Sequence, residues 1–249
     1  MHIDTILSPL ELPALARRDL RGTACVVFDI LRATSTFVTA LHHGAAAIIP
    51  VNEIAKALAL RKEKPEFLLA GERDGLRIRA GQSGGADFDF GNSPREFTPE
   101  RVRGKTIVST TTNGTRALNS CAGARQVLAA AFLNLAATAE FIRRENFTEV
   151  LLVCAGTGDS VAQEDVLAAG AMVDLLAAAR SPVSDSSKTA RQMYGQARAN
   201  LTAAIGGSQN GRRLLGLPEL SDDVAFCAQV DIFNLVAVMP ADGTLRRAA

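Results

Sequence analysis

Carboxylates and arginines recur directly after apolar segments of this chain, in positions where they could act together on an anionic substrate. Asp29 follows the apolar run Val26–Phe28, and Arg32 comes three residues later. Glu72 and Arg73 follow another such run in the same manner. If these runs are parallel strands, the charged side chains meet beyond one edge of a sheet, where ligands of open α/β folds bind. A single Asp-x-x-Arg segment is more typical of a helix cap with an ion pair, so the hypothesis depends on the repetition.

A hydroxyl-rich segment, Ser109–Thr115, has the composition of a phosphate-binding turn. Its Asn-Gly pair tolerates positive φ, so successive backbone N–H groups can point toward one site, and the helix predicted to follow adds a partial positive charge. The alternative is an Asn-Gly hairpin turn, which the predicted helix makes less favourable. No Walker P-loop sequence is present. The candidate substrate-binding residues here are Thr111, Thr112, Asn113, Gly114 and Thr115.

Two adjacent acids, Glu164 and Asp165, follow the apolar run Leu151–Cys154 and a Gly-rich turn. A capping box and the helix dipole account for one acid in a first helical turn, but the pair also suits a hard cation. Mg²⁺ prefers carboxylate oxygens, substrate phosphate and retained water. The sequence therefore predicts Mg²⁺ as the cofactor, with Asp29, Glu164 and Asp165 as ligands.

Apolar, β-branched runs alternate with Ala- and Leu-rich helical segments along the chain, which predicts an α/β fold with a largely parallel or mixed sheet. We expect a single domain over residues 1–249, or two closely packed subdomains. The Gly-rich stretch Arg79–Asn92 is expected to be a long irregular loop. The predicted strands are Ala24–Phe28, Ala47–Pro50, Phe67–Ala70, Lys105–Ser109, Gln126–Ala130, Glu149–Cys154, Val224–Cys227 and Asn234–Met239. The predicted helices are Ala33–His43, Glu53–Lys62, Gly114–Asn119, Leu135–Glu145, Val161–Ala179, Ser187–Ile205 and Gln209–Leu215.

Composition excludes several classes of partner and cofactor. Twenty-seven basic and 26 acidic residues leave a net charge of +1, which argues against nucleic acid or an anionic membrane as the main partner. The start of the chain shows no signal peptide and no apolar run is long enough to span a bilayer, so a cytoplasmic location is expected. The four cysteines are scattered, so we expect neither a disulfide framework nor a zinc site, and Cys154 is interpreted as a buried apolar residue. The expected partner is a small-molecule ester, and a homo-oligomer is compatible with the composition.

These residues together describe phosphoryl transfer, in which cations neutralise the ester and an acid serves as base or nucleophile. Without a nucleotide-binding fingerprint, hydrolysis of a small phosphate ester is favoured over kinase chemistry. Asp29 is either a metal ligand or a nucleophile, Glu72 is a candidate general base, and Arg32 and Arg73 would neutralise charge. The competing hypothesis is a non-catalytic binder of a phosphorylated or sulfonated metabolite, in which clustered carboxylates would repel the ligand.

Six ordered motifs resemble the 2-phosphosulfolactate phosphatase family over nearly the whole chain. They are Asp29–Thr36, Gly71–Arg73, Phe88–Pro94, Thr111–Thr115, Phe132–Asn134, and Cys154–Gly156 with Glu164-Asp165. The resemblance implies a layered α/β/α fold and Mg²⁺-dependent hydrolysis of (2R)-2-phospho-3-sulfolactate to 3-sulfolactate and phosphate, a step toward coenzyme M. It also implies substrate binding by Asn92, Ser93 and Asn134, and adds Asp89 as a further candidate metal ligand.

One loop departs from the family pattern. Asp87 stands where the family usually has glycine, and the stretch Ala80–Ala86 is longer than usual. An altered loop over the substrate would change specificity while leaving the phosphatase chemistry in place. A phosphatase of another small anionic phospho-acid is therefore the alternative expectation.

Overall fold

The computed structural model describes residues 1–178 and 181–248, in which two β-sheets are flanked by helices. The end of the predicted helix Val161–Ala179 lies outside the described residues. The strands are β1 (His2–Ile6), β2 (Thr23–Phe28), β3 (Ala47–Pro50), β4 (Leu68–Arg73), β5 (Leu76–Arg77), β6 (Thr106–Thr110), β7 (Gln126–Ala130), β8 (Glu149–Cys154), β9 (Ala237–Met239) and β10 (Arg246–Arg247).

The larger sheet has six strands in the order β1-β8-β2-β7-β9-β10. Its first four strands are parallel, and β9 and β10 are antiparallel additions at one edge. Every residue of β2 is buried, as expected of a central parallel strand covered on both faces. The parallel set directs the carboxyl ends of β2, β7 and β8 toward the same edge of the sheet.

The smaller sheet has four strands in the order β3-β6-β4-β5, with β3, β6 and β4 parallel. Strand β5 returns antiparallel to β4 through a two-residue turn in which Asp74 and Gly75 have φ of 55° and 78°. Positive φ at both central residues is the type I′ arrangement that Asp-Gly favours. A bridge between Ile48 and Leu245 links β3 to the C-terminal part of the chain, and the larger apolar core includes residues of both sheets.

The helices occupy the connections between strands. They are α1 (Ala33–His42), α2 (Ile54–Glu63), α3 (Ala80–Ser83), α4 (Pro99–Val102), α5 (Gly114–Ser120), α6 (Leu135–Arg144), α7 (Gln163–Leu176), α8 (Asp185–Ala197), α9 (Leu201–Gly206), α10 (Gln209–Leu215) and α11 (Asp222–Cys227). None of those found within residues 1–178 and 181–248 combines the length and apolarity needed to cross a bilayer. Helix α7 is buried along most of its length because it packs against the sheet on one side and α8 on the other.

The structure confirms the expected α/β class. The prediction of a strand at Val224–Cys227 is wrong, because this run forms most of α11, a helix with two acids in its first turn. A four-residue apolar run cannot distinguish a strand from a short buried helix. The predicted helix Ser187–Ile205 is divided, since Asn200 caps α9 by accepting a hydrogen bond from the N–H of Ala203.

All four cysteines are buried and free, and burial raises the pKa of the Cys154 thiol well above its usual range.

The close approach of α7 to α8 requires glycine at position 170. A Cβ on Gly170 would overlap the carbonyl oxygen of Ala190 and lie 2.8 Å from Cβ of Tyr194. We expect Gly170→Ala to lower the free energy of unfolding by about 2–3 kcal/mol, the cost of overpacking. That loss corresponds to a melting temperature roughly 4–12 °C lower for a chain of this size.

The matched control is Gly195→Ala in α8, where an added Cβ meets nothing within 4 Å. Replacing an interior helical glycine with alanine should raise stability by up to about 1 kcal/mol. Thermal unfolding of both variants by calorimetry checks the pair. A Gly170→Ala variant as stable as Gly195→Ala would contradict the described packing of α7 on α8.

Candidate active site

Loops at the carboxyl ends of β2, β4, β6 and β8 face one cleft of about 280 Å³ between the two sheets. The position agrees with the rule that ligands of α/β proteins bind beyond strand ends. Helix α10 closes a further side of the cleft. The lining residues are Asp29, Leu31, Arg32, Glu72, Asp74, Gly75, Asn92, Thr111, Thr112, Asn113, Gly156, Thr157, Gly158, Asn210, Arg213 and Leu214.

Asp29 lies between the start of α1 and the start of α5, with only 8% of its surface exposed. Its Oδ1 accepts a hydrogen bond from the N–H of Ala33 at 3.0 Å. A Cβ on Gly114 would lie 2.7 Å from Oδ2, so the glycine allows the α5 backbone to approach the carboxylate. Burial, together with the charges of Glu72 and Glu164, raises the pKa of Asp29 to about 7 against the opposing hydrogen bonds of Ala33 and Gly114.

Glu164 and Asp165 begin helix α7, and both are almost completely buried. The two oxygens of Asp165 accept main-chain hydrogen bonds from Ile30 at 2.8 Å and Gly156 at 3.0 Å. Asp165 thereby joins the loop after β2 to the loop after β8. Burial and the charges of Glu164 and Asp29 raise the pKa of Asp165 well above its usual range. Glu164 accepts a hydrogen bond from Nδ2 of Asn210 at 2.6 Å.

Glu72 connects the β4–β5 turn to the hydroxyl-rich segment. Its Oε1 accepts from the N–H and the hydroxyl of Thr112, at 3.1 and 3.0 Å, and its Oε2 accepts from the N–H of Gly75 at 2.8 Å. These donors orient the carboxylate at the rim of the cleft. Because Glu72 lines the cleft and is only partly buried, a water molecule can reach it.

The predicted phosphate-binding segment lies at the cleft in part. Thr111, Thr112 and Asn113 line it, whereas Gly114 and Thr115 lie behind them. The hydroxyl of Thr115 is 3.1 Å from that of Thr111, and the amide of Asn113 donates to the carbonyl of Gly156. The segment is followed directly by α5, which agrees with a strand–turn–helix arrangement and not with a hairpin.

Arg32 is 4% exposed and lines the cleft. Its guanidinium donates to Oδ2 of Asp223 at 2.8 Å and to the carbonyl of Gly75 at 2.5 Å. Asn92 lines the cleft beside it, while the hydroxyl of Ser93 donates to Oδ1 of Asp223 at 2.7 Å. Arg32 is therefore held in one position by the buried carboxylate of α11.

Eight of the predicted site residues do not line the cleft: Arg73, Asp89, Asn134, Ser93, Gly114, Thr115, Glu164 and Asp165. The first three of these have partners elsewhere. Arg73 donates to the carbonyl of Glu72 and to the hydroxyl of Thr110. The carboxylate of Asp89 accepts from Arg61 at 2.6 Å and from the N–H of Leu69 at 2.7 Å. The buried side chain of Asn134 accepts a hydrogen bond from the N–H of Ala131. It donates to the hydroxyl of Thr138 and to the carbonyl of Leu235.

Sequence reasoning did not select three residues that the fold brings to this region. Asn210 and Arg213 on α10 line the cleft, and Asp223 on α11 holds Arg32. The helix carrying Asn210 and Arg213 was predicted, and their spacing places both on one helical face. Neither follows a strand, so the sequence offered no signal that this face turns toward the strand ends.

Asp29, Glu164 and Asp165 are buried near one another, but no group of three His, Cys, Asp or Glu side chains among the described residues is placed so that it could hold a metal ion. In the part of the chain that the structure describes, Asp29, Glu164 and Asp165 form no ion pair with lysine or arginine. Mg²⁺ is usually held by one or two carboxylates together with substrate phosphate and water, so an incomplete protein cage suits it. Buried, mutually repelling carboxylates therefore fit a bound divalent cation.

The raised pKa of Asp29 predicts that its charge destabilises the metal-free protein. Since that pKa is raised from 3.8 to about 7, the folded state retains a proton that the unfolded state loses, and stability falls as the pH rises from about 4 to about 7. Asp29→Asn removes this dependence. We expect the free energy of unfolding of Asp29→Asn, relative to that of the wild type, to rise by about 2 kcal/mol between pH 5 and pH 8. This corresponds to roughly 4–8 °C in melting temperature.

Calorimetry in EDTA at the two pH values measures this difference. Asp242→Asn is the control, because Asp242 is exposed and its hydrogen bonds lower its pKa. The stability of the control relative to the wild type should be the same at pH 5 and at pH 8. If Asp29→Asn behaved like the control, the buried charge of Asp29 would not be the source of the pH dependence.

Comparison with known proteins agrees with this geometry. The family model described as 2-phosphosulpholactate phosphatase matches residues 11–241. A protein of Caldanaerobacter subterraneus is 41% identical over 224 residues, which are 88% of each chain. A protein of Thermotoga petrophila is 37% identical over 237 residues, 95% of each chain. A Synechococcus protein is 37% identical over 248 residues, 98% of this chain and 96% of the relative.

All three relatives carry the name "Probable 2-phosphosulfolactate phosphatase". The family match extends over both sheets and includes every residue that lines the cleft. It confirms the expectation of an enzyme in the class of phosphoric monoester hydrolases. This chain belongs to the 2-phosphosulpholactate phosphatase family.

Proposed function

We propose that this enzyme hydrolyses 2-phospho-3-sulfolactate to 3-sulfolactate and phosphate in a Mg²⁺-dependent reaction. The observation that carries the proposal is a cleft in which the carboxylates of Asp29 and Glu72 lie together with the hydroxyl and amide groups of Thr111–Asn113, and beside which Asn210 holds the buried Glu164. The substrate is the one in the names of the relatives. The product would then serve coenzyme M synthesis, as the family resemblance implies.

The phosphate group would lie against the segment Thr111–Asn113, where hydroxyls and a side-chain amide face the cleft. Arg32 lines the same cleft and would approach it there. Hydrogen bonds from Thr and Asn side chains orient a tetrahedral anion, and a guanidinium neutralises part of its charge. The Asp223 carboxylate keeps Arg32 in place before the substrate arrives, so little reorganisation is needed at the moment of reaction.

Asp29 and Glu164 would hold the Mg²⁺, since Asp29 lines the cleft and Glu164 is bonded to the cleft residue Asn210. Neither forms an ion pair with lysine or arginine among the described residues. When bound, the ion would withdraw charge from the phosphoryl oxygens. Asp165 would have a positioning role, because its two oxygens accept hydrogen bonds from the loops that carry Ile30 and Gly156. Asp29 is then a ligand and not a nucleophile.

Glu72 would orient the attacking water. Thr112 and Gly75 hold its two oxygens from one side and leave the carboxylate accessible from the cleft. A carboxylate within hydrogen-bonding reach of the water can accept its proton as the bond to phosphorus forms. The proton taken up by Glu72 would then pass to the ester oxygen, which departs as the alcohol of 3-sulfolactate, while the other proton of the water stays on the phosphate.

Phosphate release tests the proposed function directly. The substrates are racemic 2-phospho-3-sulfolactate, 2-phospholactate and an aryl phosphate, each with Mg²⁺ and with EDTA. We expect release from the sulfonated ester that stops in EDTA and returns with Mg²⁺. Release only from the other esters would favour another phospho-acid as substrate, and no release from any ester would favour a binding protein.

The metal ligands are tested by charge-removing substitutions. Asp29→Asn should lower kcat at least a thousandfold, the loss typical of removing a central electrostatic contact. Glu164→Gln should raise the Mg²⁺ concentration for half-maximal activity about tenfold or more, as for other altered metal-site residues. Glu140→Gln, an exposed acid on α6, is the matched control. An Asp29→Asn variant that folds and keeps full activity would overturn the assignment of Asp29.

A further inference from the structure

A second cavity of about 650 Å³ adjoins the catalytic cleft. Arg32, Gly75 and Asn92 line both spaces, so the tip of the β4–β5 turn forms the boundary between them. The carbonyl of Gly75 accepts a hydrogen bond from Arg32, and the carbonyl of Asp74 accepts one from Arg213. A substrate bound in the cleft can therefore extend past the β4–β5 turn into the second cavity.

Arginine is the commonest charged residue on the walls of the second cavity, where each arginine is paired with a carboxylate and keeps further N–H groups. The walls carry four arginines and two glutamates. Glu96 is neutralised by Arg77, and Glu219 is exposed at the rim. Arg79 belongs to the loop that differs from the family pattern, and Asp87 binds both its guanidinium and the N–H of Ala80. The four arginines are Arg32, Arg77, Arg79 and Arg95.

Asp223 sets the position of two of these arginines. It is completely buried, and its Oδ2 accepts from Arg32 while its Oδ1 accepts from Ser93 and from Nε of Arg95 at 2.9 Å. Asp222 pairs with Arg95 from the exposed side, so the two guanidiniums at the junction of the two spaces are matched by two carboxylates. A buried carboxylate with three donors holds its partners in a single arrangement.

We propose that the second cavity receives the remote acidic group of the substrate, the sulfonate, and that Asp223 is a positioning residue for Arg32 and Arg95 there. The inference rests on the proposed function, since it concerns the same substrate. Arginines are suited to the role because a guanidinium donates two parallel hydrogen bonds to an oxyanion. Arg77 and Arg95 are partly exposed, with about a third of each side chain open to the cavity side or solvent, so both retain unused N–H groups.

The test compares selectivity and not activity alone. For each variant, kcat/KM is measured with 2-phospho-3-sulfolactate and with 2-phospholactate, which lacks the sulfonate, and the Kd of 3-sulfolactate is measured by calorimetry. We expect Arg95→Gln and Arg77→Gln each to lower the ratio of the two kcat/KM values at least tenfold, mainly through KM, and to raise the Kd of 3-sulfolactate by a similar factor. Asp223→Asn should also lower the ratio, because it releases Arg95, and should in addition lower kcat with both substrates, because it releases Arg32.

Two controls separate the positioning role of Asp223 from the general effect of removing a charged side chain. Asp222→Asn removes an exposed contact of Arg95 from the residue next to Asp223, and should change the ratio less than threefold. Arg21→Gln removes an exposed arginine remote from both cavities, and should leave the ratio unchanged. If Asp222→Asn matched Asp223→Asn, the positioning role of Asp223 would be overturned. If Asp223→Asn does not fold, the two arginine variants still decide the assignment of the cavity.

The outcomes distinguish this inference from the proposed function. Equal losses on both substrates, with unchanged binding of 3-sulfolactate, would overturn the inference and leave the phosphatase assignment intact. Wild-type protein that binds 3-sulfolactate through Arg95 but releases no phosphate from its ester would support the cavity assignment and overturn the proposed function.

Discussion

Mutual repulsion among buried carboxylates is the constraint on which the site depends. Asp29, Glu164 and Asp165 are withdrawn from water at the end of parallel strands, where burial and their neighbours' charges disfavour ionisation of Asp29 and Asp165. Such an arrangement costs stability in the folded chain unless a cation or protons compensate. We propose that the cost is retained because Asp29 and Glu164 would hold Mg²⁺, while Asp165 keeps the two loops in place.

The rest of the fold keeps these charges close without neutralising them. The two sheets direct their strand ends to one cleft, and polar side chains join the loops in pairs. Asp165 joins the loops after β2 and β8, Glu72 joins the β4–β5 turn to the segment after β6, and Asp223 joins α11 to Arg32. Arg32 and Arg213 line the same cleft, where an anionic substrate can use them. The convergence of acids and arginines on one cleft is therefore a property of the topology.

The sequence predicts those parts of this arrangement that depend on local pattern. Strands β3, β7 and β8 match their predicted bounds, because continuous apolar runs bounded by turn residues are strong local signals. The convergence of Asp29, Glu72 and the hydroxyl-rich segment followed from the strand-end rule. The roles of Asn210 and Asp223 could not be predicted, since each depends on how a C-terminal helix packs against distant loops. The local motif around Asp89 gave no indication that Arg61 binds its carboxylate.

Proton release on Mg²⁺ binding tests the central claim most directly. Since burial raises the pKa of Asp29 to about 7, Mg²⁺ held by this carboxylate would displace protons from the site near neutral pH. Calorimetric titration at pH 7 in buffers of different ionisation enthalpy measures the number of protons released for each Mg²⁺ bound. The account predicts release of about half a proton or more per Mg²⁺ in the wild type, less at pH 9 and none from Asp29 in Asp29→Asn. Binding of Mg²⁺ without proton release at pH 7, or no binding at all, would contradict it.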